Sequence, residues 1–424
     1  MAIMAVNGFI KQDTHYVAFV GKGHRFCFLP GKDDVLHDNT DMGVPICVKI
    51  KSINGFITGE TFEGNTILLY TGGDIELCPY CYAYVRLFIM ARDKNSLEEF
   101  DEIEFKGGTL QEMADSELKR NRQYCHSYKV MHANECICYS RKFNINQYVS
   151  AFCRDNRAVG IVSFSISSSN KHDLKECVVS CYDYFMTLLK FMAFRSDVGV
   201  EWTHILKNNR VIAECFSDTD CRTHEKAYNS SDINFEYLGR NVDSLLGIIG
   251  TIDTDDPKIN IEFIPESVQS RYIINANKIR DICTALESEG DRQEYTFSDS
   301  VKKVSNEVKK FLKKECQSYE KLSQKQKAYI SSNLKYWTNP FMEKAESLLK
   351  RYKSVITVDI SADDISQFKR LRDNITHASA TESDDKNFDT AYALMQIIYA
   401  SILDRCGCDM DGLHRFFEKG FMQL

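Results

Sequence analysis

Two residues near the C-terminus, Arg372 and His377, have the types and the spacing that could cut RNA without a metal ion. They lie in the segment FKRLRDNITHAS, residues 368–379. A guanidinium can hold a phosphate through paired hydrogen bonds, and an imidazole can move a proton near neutral pH. The pair therefore predicts phosphate binding by one side chain and proton transfer by the other.

Spacing alone does not make this pair significant. The chain has 20 arginines and 10 histidines in 424 residues, so chance predicts roughly one arginine followed by a histidine four to six residues later. A second pair of this kind, Arg120 and His126, indeed occurs, and it too has a polar residue, Asn121, after the arginine. The elements around each pair must therefore decide between them.

The surroundings favour Arg372. Ser361 and Asp364 form the pattern of a capping box, which predicts the start of a helix. The apolar residues that follow at helical spacing are Ile365, Phe368, Leu371 and Ile375, and Arg372 and His377 lie off this stripe. Arg120 and His126 follow a charged stretch that has no comparable stripe.

The segment upstream of this helix is strongly basic. The whole chain has a net charge of −7, yet residues 301–353 contain 14 lysines and arginines against five glutamates, a local charge of +9. A basic segment in an acidic protein indicates a local site for a polyanion, although a lysine-rich helix can also be an ordinary solvated surface.

One helix by itself would make an incomplete site. Five steps of about 100° place Arg372 and His377 about 140° apart around a straight helix, and His377 stacks over Asp373 instead. Two such helices that meet across a two-fold axis could combine both residues around one phosphate. We therefore expect a homodimer or a higher oligomer.

The rest of the chain predicts an α+β protein. Short β-rich runs, one of which is residues 82–88, are separated by glycine turns and predict an N-terminal sandwich-like or barrel-like domain over residues 1–145. A mixed α/β region, residues 146–256, follows, with a helix expected from Lys171 to Phe194. This region is expected to belong to the same N-terminal unit.

After the acidic, proline-bearing stretch that ends at Pro257, residues 257–424 predict a bundle of helices with short loops. Its first helix is expected from Ser267 to Leu286, with Tyr272 and Ile273 on the apolar side, and a second helix from about Ser298 has the apolar stripe Val301, Val304, Val308, Phe311 and Leu312. A helix over residues 388–403 is expected to be the last, followed by a C-cap at Gly407.

Composition narrows the class of protein. The chain is 43% hydrophobic and 27% charged, typical of a globular protein. It shows neither a secretory signal nor an apolar run long enough to cross a membrane, so we expect no membrane association. The 16 cysteines are scattered, which indicates reduced thiols in a cytoplasmic protein.

Alternative sites are weaker, and no cofactor is expected. Cys78 and Cys81 have the spacing of half a zinc site, with Cys136 and Cys138, or Cys125 and His126, as the other half. Buried thiols are the competing interpretation. Residues 21–25 are glycine-rich and basic but lack the Lys-Ser of a phosphate-binding loop. Asp253, Asp255 and Asp256 lack the glycine and glutamate of a calcium loop.

The segment FKRLRDNITHAS resembles the signature of HEPN-domain ribonucleases, a helical family found in bacterial toxins and abortive-infection proteins. Their motif is an arginine, a polar residue, a short spacer and a histidine, followed by one more helix. The similarity covers about residues 258–424. The N-terminal half is similar to ApeA-type abortive-infection proteins, through residues 53–69 (INGFITG to GNTILL) and through residues 182–194 running into VGVEW at 198–202.

The resemblance implies metal-independent endoribonuclease activity in anti-phage defence, against RNA such as tRNA, with a phage-derived trigger. Arg372 would stabilise the phosphate, His377 would act as general base or acid, and Asp373 would orient the imidazole. Asn374, Lys369 and Arg370 are the expected RNA-binding residues. Asp373 stands where Asn is commoner in the family, which adds negative charge beside the phosphate.

Two other functions fit the same residues. The bundle could bind RNA or a nucleotide without chemistry, or the chain could be an interaction scaffold in which neither Arg372 nor His377 matters.

Overall fold

The protein divides into two compact units, one formed by Met1–Ile259 with Ile264–Val268 and the other by Asn260–Phe263 with Gln269–Leu424. The first unit is built on antiparallel strands and the second on helices, which confirms the predicted α+β class. The computed structural model describes residues 5–12, 15–30, 48–77, 80–91, 97–109, 135–138, 141–154, 157–218, 259–292, 299–333, 341–376 and 385–418.

The first unit contains one large sheet. The described strands of this unit, in chain order, are β1 (Ala5–Gln12), β2 (His15–Lys22), β3 (Arg25–Pro30), β4 (Val48–Ile50), β5 (Phe56–Thr61), β6 (Thr66–Tyr70), β7 (Ile75–Leu77), β8 (Cys81–Tyr84), β9 (Leu87–Ala91), β10 (Glu99–Lys106), β11 (Glu135–Cys138), β12 (Arg141–Arg154), β13 (Arg157–Asp173), β14 (Trp202–Lys207) and β15 (Arg210–Ser217). In the described residues the order across this sheet is β11-β12-β13-β10-β14-β15-β9-β6-β5-β1-β2-β3-β8, and β4 pairs with β7. The sheet therefore joins strands from both sides of residue 145.

Local turn chemistry explains two of the tight turns. Asn54 and Gly55 both have positive φ, 52° and 79°, and the flanking Ile53 and Phe56 exchange backbone hydrogen bonds of 2.9 Å. A two-residue turn of this kind needs positive φ at both central positions, which Asn-Gly supplies at little cost. Asn208 and Asn209, with φ of 52° and 60°, form the corresponding turn between β14 and β15.

Alternation along the strands builds the core of this unit. On β2 and β3 the side chains of Phe19, Phe26 and Phe28 are buried, while their sequence neighbours point outward. These rings lie 6.0–6.5 Å apart by centroid, and Phe26 also meets Phe88 edge-on at 5.7 Å. The aromatic residues that predicted strands here therefore form the core that holds the strands together.

The structure corrects two predicted boundaries in this unit. The continuous strand predicted over residues 82–88 is broken between β8 and β9, where the Val85 amide donates to the His24 carbonyl at 2.8 Å. The helix predicted from residue 171 begins later, as α1 (Leu174–Ala193), because Asp173 caps it by accepting a 3.0 Å bond from the Glu176 amide. A capping carboxylate favours a helix that starts at the next residue.

The described part of the second unit contains seven α-helices. After a 3-10 turn (Gln269–Tyr272) they are α2 (Ala276–Arg292), α3 (Asp299–Ser318), α4 (Gln324–Asn333), α5 (Phe341–Tyr352), α6 (Ala362–Thr376), α7 (Asp385–Arg405) and α8 (Met410–Glu418). Helices α2, α5, α6 and α7 pack against one another, and α3 packs against α4. Residues 390–403 of α7 are buried on every side, which makes α7 the central helix.

Three helical predictions need correction. A helix was expected from Ser267 through Leu286, but the α-helix begins only at Ala276, where Asn275 accepts a 2.9 Å bond from the Lys278 amide. Tyr272 and Ile273, expected on its apolar side, are exposed. The helix over residues 388–403 was expected to be the last, yet α8 follows it after a left-handed Gly407 (φ 88°).

The apolar stripe predicted for α3 is only partly covered. Val304 and Phe311 are 59% and 61% exposed, whereas Cys316 on the same helix is buried toward α4.

Within the described residues, no helix combines the length and apolar character that a membrane span requires.

Candidate active site

Helix α6 carries the predicted arginine, and its start is set by the predicted capping box. The amide and the hydroxyl of Ser361 both donate to Asp364 Oδ2, at 2.9 and 2.6 Å, and the Asp364 amide donates to Ser361 Oγ at 3.3 Å. These reciprocal bonds satisfy backbone donors that the first helical turn leaves unpaired. The capping box is therefore confirmed, and with it the register of the helix.

The position of Arg372 beside the buried side of α6 explains why its side chain is only partly exposed. Ile365, Phe368 and Leu371 are buried, as the stripe predicted. Arg372 follows Phe368 by four residues and lies about 40° from it around the helix, at the border of the stripe. Its side chain is therefore only 21% exposed.

The guanidinium of Arg372 is held by contacts that include a carboxylate and an aromatic ring. Its Nε and Nη2 donate to Asp373 Oδ1 at 3.1 and 2.8 Å. The Phe341 ring of helix α5 lies 5.4 Å from its central carbon, within the range of a cation–π contact. The arginine is thus fixed by its own helix and by a neighbouring one.

Asp373 bridges two cations. Its second oxygen, Oδ2, accepts a bond of 2.9 Å from Lys369 Nζ, one turn earlier on the helix. Burial alone would raise the pKa of the Asp373 carboxyl, but the hydrogen bonds from Lys369 and Arg372 together lower the pKa below its ordinary value. Asp373 is therefore ionised at neutral pH, and the three side chains carry a net charge of +1.

A cysteine beside this cluster is chemically inert. Cys283 of helix α2 is fully buried, and burial raises the pKa of its thiol to about 12, against the smaller opposing effect of the positive charge of Arg372. A thiol in that state is protonated at neutral pH and is not a nucleophile. The chemistry of the cluster is that of charge and hydrogen bonding.

The other two predicted RNA-binding residues lie on a different side of α6. Arg370 and Asn374 are exposed, and they lie about 160° and 200° around the helix from Arg372. The structure thus brings Lys369, Arg372 and Asp373 together and separates Arg370 and Asn374 from them.

Several predicted residues lie outside the described part of the chain. Helix α6 ends at Thr376, and the neighbouring His377 is one of the residues that are not described, so its placement over Asp373 stays a prediction. The structure likewise does not describe Arg120, Cys125, His126, Cys78 or the three aspartates at 253, 255 and 256.

The basic segment 301–353 divides into two kinds of lysine. Lys310, Lys313 and Lys314 of α3 are exposed. Lys327 is buried and donates to the Gln317 carbonyl at 2.7 Å, and the buried Lys344 pairs with Asp291. Some of the lysines in the basic segment are therefore buried and bonded within the fold, and the exposed ones, which include those of α3, carry positive charge at the surface.

The zinc hypothesis rests mainly on residues that are not described. Cys81 is a partly buried free thiol, Cys136 and Cys138 lie in β11 without described side chains, and Cys78 lies outside. Among the side chains that are described, no three His, Cys, Asp or Glu residues are grouped as a metal site would require.

One charged cluster was not anticipated from the sequence. Glu289 of α2 is 1% exposed, and it accepts bonds from Arg405 Nε and Nη2 at 3.0 and 2.8 Å, from Arg292 Nη1 at 3.0 Å and from Ser401 Oγ at 2.8 Å. The cluster ties α2 to α7 across 116 residues, a separation that no local pattern reveals.

Comparison with known proteins identifies no relative: no family model, no curated protein and no solved structure matches this chain.

Proposed function

We propose that the helical unit is a metal-independent endoribonuclease of the HEPN type, with Arg372 as the phosphate-binding residue and His377 as the proton-transfer residue. The observation that carries the proposal is the way Arg372 is held. Its guanidinium is fixed by Asp373 at 2.8 and 3.1 Å and by the Phe341 ring at 5.4 Å. A charge positioned before the substrate arrives loses little side-chain entropy when it binds a phosphate.

In the proposed reaction the ribose 2′-oxygen forms a bond to the adjacent phosphorus while the bond from phosphorus to the 5′-oxygen breaks. The 2′-hydroxyl proton passes to a general base, and the departing 5′-oxygen receives a proton, leaving a 2′,3′-cyclic phosphate and a 5′-hydroxyl. His377 supplies one or both proton transfers, a contribution of about 10²–10⁴-fold. Arg372 stabilises the extra negative charge on the phosphoryl oxygens.

Asp373 is proposed to position Arg372. Its Oδ1 engages both Nε and Nη2 of Arg372, and its Oδ2 is drawn toward Lys369. A carboxylate that holds a guanidinium in this way selects one orientation of the planar fork. Orientation of the His377 imidazole by Asp373 remains the second part of the proposal.

The site is further proposed to form between two copies of the chain. This follows from the separation of about 140° expected between Arg372 and His377 around a continuous helix. A two-fold axis near α6 would bring the arginine of one copy toward the histidine of the other.

The decisive experiment is cleavage of RNA by the purified full-length protein in the presence of EDTA. We expect the wild type to cut RNA and leave cyclic-phosphate ends, and an all-2′-deoxy analogue to remain intact. The Arg372→Ala and His377→Ala proteins should lose at least about a hundredfold in rate.

Arg415→Ala and His414→Ala are matched controls. Both residues are exposed on α8 of the same unit, and their variants should cut as the wild type does. If the wild type binds RNA without cutting it, the unit is a binding module. If the wild type neither binds nor cuts, the scaffold interpretation is favoured.

The proposed biological role is anti-phage defence by cleavage of RNA such as tRNA after a phage-derived trigger. Cells that express the wild type or His377→Ala should be infected with phage and their RNA ends sequenced. New ends that appear only in infected cells with the wild type support the role, and their absence argues against it.

A further inference from the structure

The outer face of the first unit has an unusual composition. Strands β1, β2, β3 and β8 are neighbours in the sheet, and alternate residues of each point away from the core. We call this surface the aromatic face, and its outward positions are Ala5, Asn7, Phe9 and Lys11 on β1, Tyr16, Ala18, Val20 and Lys22 on β2, Arg25, Cys27 and Leu29 on β3, and Tyr82 and Tyr84 on β8.

The aromatic side chains on this face are open to solvent. Tyr82 is 74% exposed, Tyr84 60% and Tyr16 50%, and Tyr80, which directly precedes β8, is 54% exposed. The inward neighbours on the same strands, such as Phe26 and Phe28, are completely buried. The exposed rings are therefore not required by the core.

Cations alternate with these rings, and the outward positions include no carboxylate. The register places Lys22 opposite Arg25 and Arg25 opposite Tyr84, so two positive charges and a ring lie side by side across three strands. Lys11 lies over the Tyr16 ring at 5.6 Å. Two carboxylates border the face: Glu60, half-buried on β5, is paired with Phe9, and Asp218, which directly follows β15, accepts a 3.1 Å bond from the Tyr84 hydroxyl.

This pattern matches the chemistry of a single-stranded nucleic acid. Unpaired bases stack on exposed aromatic rings, and lysine or arginine beside the rings holds the phosphates. Outward side chains two residues apart on one strand are about 7 Å apart, and adjacent strands are about 4.8 Å apart. Rings and cations at these intervals can meet successive bases and phosphates of an extended strand.

We propose that the aromatic face binds a single-stranded nucleic acid, with bases stacked on Tyr82 and Tyr84 and phosphates held by Lys22 and Arg25. The face belongs to the first unit, so the inference does not depend on the proposed ribonuclease chemistry. It would give the β-rich unit a ligand of its own, separate from Arg372.

The test uses the full-length His377→Ala protein, so that any cleavage by the helical unit does not consume the probe. Fluorescence anisotropy is measured with labelled oligonucleotides of roughly ten nucleotides, as single-stranded RNA, single-stranded DNA and duplex. We expect both single strands to bind more tightly than the duplex, and binding to weaken as salt rises. The affinity for single-stranded RNA, compared with that for single-stranded DNA, determines whether the natural ligand is RNA or DNA.

Substitutions on the aromatic face test whether binding depends on these particular side chains. Tyr82→Ala with Tyr84→Ala, and separately Arg25→Glu, should each lower the affinity at least about tenfold. Trp202→Ala and Arg210→Glu are matched controls, because both side chains are exposed on the hairpin β14–β15 and three strands separate β15 from β1 in the sheet. Unchanged circular dichroism and thermal unfolding show that each variant is folded.

Ultraviolet crosslinking then maps the contact. We expect crosslinked peptides from β3 and β8. The proposal is overturned if no single strand binds, if duplex binds as tightly, if the face variants bind as the controls do, or if crosslinks fall only in the helical unit. An Arg372→Ala protein that no longer cuts RNA but still binds the single strand at the aromatic face would separate the two functions. If the wild type does not cut RNA at all, binding of the single strand at the aromatic face would still be established.

Discussion

Arg372 and Asp373 are neighbours in the sequence, and their side chains are joined at a single oxygen: Asp373 Oδ1 accepts from both Nε and Nη2 of Arg372, at 3.1 and 2.8 Å. Adjacent residues on a helix diverge by about 100°, so this contact requires the arginine to fold back along the helix surface. The Phe341 ring supports the other side of the guanidinium. The orientation of Arg372 therefore depends on both local and long-range contacts.

The first prediction concerns pH and Asp373. The pKa of this carboxyl is lowered in the folded protein, so its ionised form stabilises the fold above the ordinary pKa of about 4 and the effect is lost as pH falls through the lowered value. Asp373→Asn should therefore reduce the free energy of unfolding near neutral pH and have no effect in strong acid.

The size of this effect is limited by solvent. The Asp373 side chain is 40% exposed, so the difference from wild type near neutral pH should stay below about 1 kcal/mol. Urea unfolding at several pH values, followed by the circular dichroism of the helices, measures it. A difference that stays constant between neutral and acid pH would contradict the assigned role.

The second prediction concerns the proposed composite site. Arg372→Ala and His377→Ala are each expected to be inactive alone. If arginine and histidine act across a dimer interface, mixing the two variants under conditions of subunit exchange should restore activity. The expected recovery is about a quarter of the wild-type rate, because about half of the dimers are mixed and each mixed dimer keeps one of its two arginine–histidine pairs.

The measurement is RNA cleavage by the mixture, with analytical ultracentrifugation to establish that subunits exchange. Recovery supports a shared site. If a dimer exchanges fully and the mixture stays inactive, the two residues do not act across the interface.

The third prediction concerns the buried Glu289. Its carboxylate binds Arg405, Arg292 and Ser401 while only 1% exposed. Glu289→Ala removes this buried carboxylate from both arginines and should lower the free energy of unfolding by about 3 kcal/mol.

Asp359→Ala is the matched control for Glu289→Ala. The Asp359–Lys353 pair is 3.1 Å long with side chains 83% and 60% exposed, and its removal should change stability by less than about 1 kcal/mol. Chemical denaturation compares the two variants. Equal effects would mean that Glu289 does not tie α2 to α7.

The fourth prediction concerns the packing of α2 on α5 at Gly290. A Cβ at this position would lie 2.7 Å from the Cβ of Lys344, too close for a real contact. Gly290→Ala should therefore destabilise the unit by about 1–3 kcal/mol, even though alanine is intrinsically the better helix former by about 1 kcal/mol.

Ser347→Ala tests the propensity effect without the clash, since Ser347 is exposed on α5. This variant should be neutral or slightly more stable by thermal unfolding. A Gly290→Ala protein more stable than wild type would show that α2 and α5 can separate without penalty.

Much of the local structure could be predicted from the sequence. The capping box at Ser361 and Asp364, the Asn54-Gly55 turn and the left-handed Gly407 each depend on residues within a few positions of one another. Their energies are set by backbone geometry and short side chains, so the pattern of residue types is sufficient. The α+β class followed from the same local periodicities.

The predicted bounds of helices and strands were wrong where a distant contact, or a helix cap that the pattern did not reveal, overrode the periodicity. Tyr272 and Ile273 continued a helical pattern, but Asn275 starts the helix after them. Residues 82–88 read as one strand, but bonding between Val85 and His24 breaks it. The helix Met410–Glu418 was missed, although Asp409 accepts a 2.7 Å bond from the Gly412 amide in the manner of a cap.

The sequence by itself therefore determined the α+β class, several turns and caps, and the position of Arg372 on a helix with a buried stripe. The tertiary structure alone decided that Phe341 supports Arg372, that Glu289 binds Arg405, and that rings and cations of four strands share one face. The physical reason is that local motifs are stabilised by neighbours in the chain, whereas these relationships depend on which faces of separate elements meet.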